Sequence, residues 1–393
     1  MCCRWCFDLL NCLLTFFSSL FDVGSDLINS LDFLGYNVSS TNVNVISLSS
    51  VTNTPNNTEE FEVHQRWGIF GISLIFLPGY MIMPMVFVAL ASGRGILVGG
   101  MAELIIATVL LAMYPILLII IQVVNVVMNG SLVNKKIQQL TLIAVGAEAF
   151  FESFSQMVLQ GNTILYGYEV TVIQIITVIA SFILLARTAI LYDITMTKGD
   201  MEFTESLTHT IKTFPCYATI IIFRVLAFSL TIAYLRVWSI IPIFILFVEL
   251  VVIAYIRYRN LEKGWKLFMA IYLSSISNGG VLVANNLLEY DRFGEFGKEL
   301  DDEAVEGGRK FVRLSSIASY THHAVVLMAI MVLVKCNPDY LQQAQFQDLI
   351  LKPDGPHFFW VFGGTMVLGF YGMTQSLYLA NNIVNIKASE FKF

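Results

Sequence analysis

The sequence predicts an all-α polytopic membrane protein, and three observations carry that prediction. Of its 393 residues, 56% are apolar and only 13% charged, with a mean hydropathy of +0.70. That charged share is about half of what soluble domains carry. Ten apolar runs are present, most of them near the ~20 residues a helix needs to cross hydrocarbon. The alternating pattern of an outer-membrane barrel is absent.

In chain order the runs cover residues 9–33, 67–91, 96–128, 141–166, 169–193, 216–237, 239–258, 267–286, 311–335 and 358–383. If all ten spanned with the N-terminus inside, loops would place 9 basic residues in the cytoplasm and 11 outside, against the positive-inside tendency. Letting 96–128 and 267–286 dip in and return changes this to 17 inside and three outside, with Arg187, Arg224 and Arg236 within runs. Both dipping segments carry breakers: Pro115 in the first, Ser277-Asn278-Gly279-Gly280 in the second. Non-helical backbone at membrane depth has to be covered by protein or water. The expected architecture is therefore eight transmembrane helices plus two re-entrant elements, with both termini cytoplasmic. The order span, span, dip, span, span occurs twice, which predicts a two-fold parallel repeat with halves 1–200 and 201–393.

The first run follows MCCRWC, where Cys2, Cys3 and Cys6 are juxtamembrane palmitoylation candidates. It leads into Asp22 without a small-residue cleavage site and reads as a retained helix. Its segment FDVGSDLINSLDF sets Asp22 and Asp26 four apart, with Asp32 beyond. Residues 34–66 are rich in Asn, Ser and Thr and carry glycosylation sequons at Asn37 and Asn56, as an outside loop would. Asn129 also heads a sequon, but this topology puts it in the cytosol.

The run 141–166 contains GAEAFFESFSQMVLQG. Glu148, Glu152, Gln156 and Gln160 are spaced by four, so a helix would put all of them on one face. An ionised side chain at bilayer depth costs about 2.5–3.5 kcal/mol on insertion scales, and so faces a bundle interior or water. In the second half, Arg224 and Arg236 lie in the run 216–237, and Glu249 lies in the next. Two readings follow from these charges. They are buried ion pairs that set the packing, or the stripes form a hydrated path that Arg224, Arg236 and Glu249 gate or neutralise. His322-His323 reads as a packing feature or, less simply, a proton relay.

No catalytic residue is indicated. The chain lacks a phosphate-binding G-x-x-x-x-G-K-[ST], an H-E-x-x-H and a G-x-S-x-G. No cofactor or metal is expected, and the sequence does not read as an enzyme. A net charge of −6 speaks against nucleic acid as a partner. The acidic stretch 287–308 fails EF-hand spacing and is expected to be a solvated cytoplasmic loop.

Three segments together resemble the XK-related membrane proteins, the family that includes apoptotic phospholipid scramblases. FDVGSDLINSLDF resembles that family's acidic first-helix motif, and FFESFSQMVLQ its E-x-x-P-Q-L-x-L-Q helix, with Ser155 in place of the proline. FRVLAFSLTIAYLRVWSIIPIFILFVEL is similar to its Arg-containing helix pair. The resemblance implies eight spanning helices, two re-entrant elements and a two-fold repeat. It also implies a headgroup path, which carries over to Asp22, Asp26, Glu148 and Glu152. The tail after the last run is short and has no D-x-x-D caspase site.

The function expected from these readings is energy-independent phospholipid scrambling along Asp22, Asp26, Glu148, Glu152, Gln156 and Gln160. Phosphatidylserine exposure in the plasma membrane, linked to apoptosis, would follow from it. Two alternatives remain open. One is a scaffold that binds a lipid-transfer protein and a single-pass glycoprotein through loops 194–215 and 287–313. The other is a channel or solute transporter using the same path.

Overall fold

The structure is a computed structural model. It describes residues 20–31, 67–81, 113–128, 148–166, 172–197, 203–259, 302–336 and 355–382, with a few isolated positions between them. The described residues are helical nearly throughout and include no strand. In order they form α1 (20–31), α2 (Trp67–Met81), α3 (Tyr114–Met128), a π-turn (Glu148–Ser153) running into α4 (Phe154–Leu165), and α5 (Val172–Thr197). They continue with α6 (Phe203–Leu235), a 3₁₀ turn (Arg236–Ser239), α7 (Ile240–Tyr258), α8 (Asp302–Cys336) and α9 (Pro356–Asn382).

Three stretches are long and apolar enough to cross a bilayer: Val172–Ile190, Thr210–Ile256 and Arg313–Cys336. Large apolar side chains such as Ile179, Phe244, Val252, Val325 and Val367 face outward on these and other helices, as lipid-facing surfaces require. The chain is thus a helical integral membrane protein. Several helix limits fall within a few residues of the apolar runs, as for α7 and α9. Pro115 occupies the first turn of α3, where its missing N–H costs nothing. Of the second dipping segment only Ile271 is described. Cys2, Cys3, Cys6, Asn37, Asn56 and Asn129 lie outside the described residues.

Two loop expectations need correction. Residues 302–308 are helical and belong to α8, so the acidic loop ends before Asp302. Gly307 and Gly308 each cost about 1 kcal/mol relative to Ala in a helix, which a long helix absorbs. Likewise, α6 begins at Phe203, well inside the expected loop 194–215, and continues through Pro215. A proline there removes one backbone hydrogen bond and leaves the rest of the helix in place.

The chain divides into two compact units. Unit 1 is Met1–Gln160 with Tyr168–Thr188; unit 2 is Gly161–Gly167 with Ala189–Phe393. The interior of unit 1 is strongly polar. On α1 the buried side chains are Asp22, Ser25, Asp26, Asn29 and Ser30, while Leu20, Phe21 and Leu27 are exposed. This is an inside-out amphipathic helix, the pattern expected when lipid is the surrounding solvent. On α2, a Cβ at Gly68 would meet Ser30 O at 2.8 Å, and one at Gly71 would overlap Ser30 Oγ. Glycine at both positions lets α1 and α2 approach closely, the usual device where packing drives helix association.

Unit 2 has an apolar core in which α6 and α8 both pack on α9, and α7 packs on α8. Tyr234 meets Phe358 and Phe362 edge-on at centroid distances of 5.6 and 5.4 Å. Arg236, at the α6–α7 junction, adopts the left-handed φ of 49°, a conformation that usually ends a helix and favours glycine. Its guanidinium lies 5.5 Å from the Tyr166 ring centroid, and Tyr166 donates to Ala233 O at 3.1 Å.

Two glycines of α9 test this packing with opposite signs. A Cβ at Gly369 would overlap the Phe223 ring, which is flanked by Tyr320 and His323 at 6.0 and 5.7 Å. At Gly372 the nearest atoms are 3.5–3.6 Å away, ordinary contact. Gly369→Ala is expected to destabilise by up to about 2 kcal/mol, overpacking outweighing the helix-propensity gain. Gly372→Ala should stabilise by roughly 0.5–1 kcal/mol. Thermal melts of the two purified variants check the contrast, and equal shifts would refute it.

Candidate functional site

The polar interior of unit 1 gathers all six residues of the expected stripe. Asp22, Asp26, Glu148 and Glu152 are fully buried, and Gln156 and Gln160 are 2% exposed. Asp26 and Glu152 lie within electrostatic reach of each other and of Asp22 and Glu148. The ladder of four-residue spacing is helical, but not uniformly so. Glu148–Ser153 is a π-turn and the α-helix begins at Phe154. Such π-turns are rare and concentrate at functional sites. This one holds both glutamates and ends two residues before Ser155.

The acids differ in how they are held. Asp22 is fully engaged: Ser153 Oγ donates to its Oδ2 at 2.7 Å and Ser181 Oγ to its Oδ1 at 2.6 Å. Those hydroxyls come from the π-turn and from α5, so Asp22 ties three elements together. One turn further along α1, neither carboxylate oxygen of Asp26 has a hydrogen-bond partner among the described residues, and the same holds for Glu152.

The remaining polar groups are mostly architectural. Gln156 Nε2 donates to Gly71 O at 3.1 Å, bracing α4 against α2. Asn29 Nδ2 donates to Thr177 Oγ1 at 2.9 Å, and that hydroxyl donates on to Ile173 O at 2.8 Å. The Asn29 Oδ1 atom is buried without a partner among the described residues. Ser153, Ser181 and Thr177 were not singled out by the sequence, although small hydroxyl side chains inside apolar runs are a readable signal of interhelical hydrogen bonding.

Burying an ionised carboxylate without a partner is costly. Two such groups in one enclosed interior therefore call for a positive group, for water or for a bound proton. Among the described residues no group of three His, Cys, Asp or Glu has the arrangement of a metal site. What the arrangement can do is receive a cationic or strongly hydrated group, once the helices that cover it part.

The other expected residues lie in unit 2. Arg224 is 1% exposed and donates from Nη2 to Ser319 Oγ at 3.0 Å. Glu249 faces His322, with Oε2 3.2 Å from Nδ1. Arg236 sits over Tyr166, as described above. No family model matches the chain, and no curated protein matches it.

Proposed function

We propose that the protein is an energy-independent phospholipid scramblase whose headgroup path is the polar interior of unit 1. The observation that supports this most directly is the pair Asp26 and Glu152, fully buried with no hydrogen-bond partner among the described residues. A packing role would satisfy such groups, as it does Asp22; a transport role leaves them free for a passing ligand. Zwitterionic headgroups carry an ammonium that loses its water in hydrocarbon. Asp26 and Glu152 would replace that water, with Gln156 and Gln160 further along the same helix. The acyl chains would stay in the bilayer while the headgroup moves. In the state described the acids are covered, so this is a closed form. The π-turn is the element suited to move them, because such turns are rare interruptions of the α-helix that concentrate at functional sites. The resemblance of the α1 and α4 segments to XK-related proteins adds to this reading, which extends to phosphatidylserine exposure at the plasma membrane.

The test is a dithionite assay on the purified protein in liposomes with a fluorescent lipid. Loss of signal beyond the outer-leaflet fraction is the expected result. Glu152→Ala should slow it by about tenfold or more, since each 1.4 kcal/mol of lost stabilisation is a factor of ten. A folded wild-type protein that stays silent, also after limited proteolysis between residues 287 and 301, would overturn the proposal in favour of a membrane scaffold.

A further inference from the structure

A second polar constellation lies in unit 2, apart from the acid ladder and independent of the scramblase reading. Glu249 stands at the middle of α7 (Ile240–Tyr258), and His322 lies near the middle of the span Arg313–Cys336. Both helices thus bring a titratable group to mid-membrane depth, where the two meet at 3.2 Å. The pair is not enclosed: the His322 side chain is 8% exposed, but that of Glu249 is 39% exposed. Its neighbours on the outward faces are apolar, with Val252 49% and Val325 56% exposed.

Beside His322 is a small, partly open space of about 10 Å³ between α6, α7 and α8. Its lining includes Thr231, His322 and His323 among apolar groups such as Phe228, Leu246 and Val326. His323 is 4% exposed, and its Nε2 has no hydrogen-bond partner among the described residues. Thr231 Oγ1 donates to Ala227 O at 2.7 Å, which leaves its lone pairs free to accept. Other polar groups near His323 are Arg224 on α6, bonded to Ser319, and the adjacent His322. Alpha-9 carries no Asp, Glu, Lys or Arg.

A void of that size holds one water when two or more polar groups face it, and an apolar void of the same size stays dry. Here His323, Thr231 and His322 are the polar residues of the lining. A half-exposed carboxylate at mid-bilayer draws water in from the lipid side. We infer that the α7–α8 seam is a hydrated crevice: one internal water sits between His323 and Thr231, and further water reaches Glu249 and His322 from the lipid-facing side. This seam is where unit 2 admits water to the membrane interior.

Cysteine reactivity toward a membrane-impermeant charged maleimide tests this, because only a thiolate in water reacts. Full-length protein in liposomes carries Val252→Cys or Val325→Cys beside the pair. Phe247→Cys, 40% exposed at nearly the same depth and on the face of α7 turned away from Glu249, is the control. Mass spectrometry of the modified peptide reads each site regardless of native cysteines. Both seam cysteines are expected to react at least about tenfold faster than Phe247→Cys. In a Glu249→Leu background they should fall to the control rate. If both seam cysteines react at the control rate in otherwise unaltered protein, the seam is dry and covered by lipid or a partner helix, and the inference is overturned. Because no Glu249 change enters that comparison, misfolding of Glu249→Leu does not blunt it. Scrambling activity does not enter the readout either.

Discussion

Replacing Asp22 with Ala is expected to destabilise the protein by about 2–4 kcal/mol, while the same change at Asp26, one helical turn away, should be neutral or stabilising. Both are fully buried acids on the same face of α1. Asp22 accepts two hydroxyl hydrogen bonds, from Ser153 and Ser181, and bonds to a charged acceptor contribute roughly 1.5–3 kcal/mol each. Its removal also strands two hydroxyls that are 0% exposed. Asp26 has no such partners among the described residues, so its removal deletes a desolvated acid and nothing that held it. Asp22→Asn keeps an acceptor for one serine and should fall between the two. Thermal unfolding of the detergent-purified variants gives the order, and similar losses at 22 and 26 would mean that Asp26 is structurally satisfied. Stability and scrambling should therefore separate, with Asp22 affecting mainly the first and Asp26 mainly the second.

That separation could not be read from the sequence. The periodicity of FDVGSDLINSLDF and the four-residue ladder of GAEAFFESFSQMVLQG are local properties, and the acids and amides they single out are buried in the structure. Which acid would be satisfied depends on groups 131 and 159 residues away, and spacing along one helix holds no information about them. The π-turn was hidden for a related reason. A ladder of i, i+4 residues suits an α-helix, and the extra residue in the turn shows only once the backbone hydrogen bonds are formed. Apolar-run lengths located several helix limits, as for α7 and α9, but could not show that α6 and α8 begin well before their apolar portions. Amphipathic helix outside the hydrocarbon lowers a hydropathy average without ending the helix. The seam at Glu249 was half legible. Its two residues stood out as charges inside runs, but nothing in the sequence placed His322 against Glu249 rather than toward lipid.

Arg224 gives the second large effect. It is the bulkiest of the fully buried side chains, and its Nη2 bond to Ser319 joins α6 to α8 within unit 2. Arg224→Ala leaves a cavity and is expected to cost about 2–5 kcal/mol. Ser319→Ala removes a hydrogen bond to a charged donor and should cost roughly 1.5–3 kcal/mol. If the two act through that contact, the double variant will lose less than the sum of the single losses, with a coupling of roughly 0.5–3 kcal/mol. Strict additivity would show that Arg224 is held by other groups. Arg224→Met separates anchoring from gating, because it nearly fills the space and carries no charge. Swapping buried charge for a well-packed apolar side chain is often neutral, so this variant should recover most of the stability lost in Arg224→Ala. Its scrambling rate then decides the role of the charge. A rate per folded molecule equal to wild type makes Arg224 an anchor of α6 on α8. A rate several-fold higher, with stability retained, makes its charge a restraint on activity.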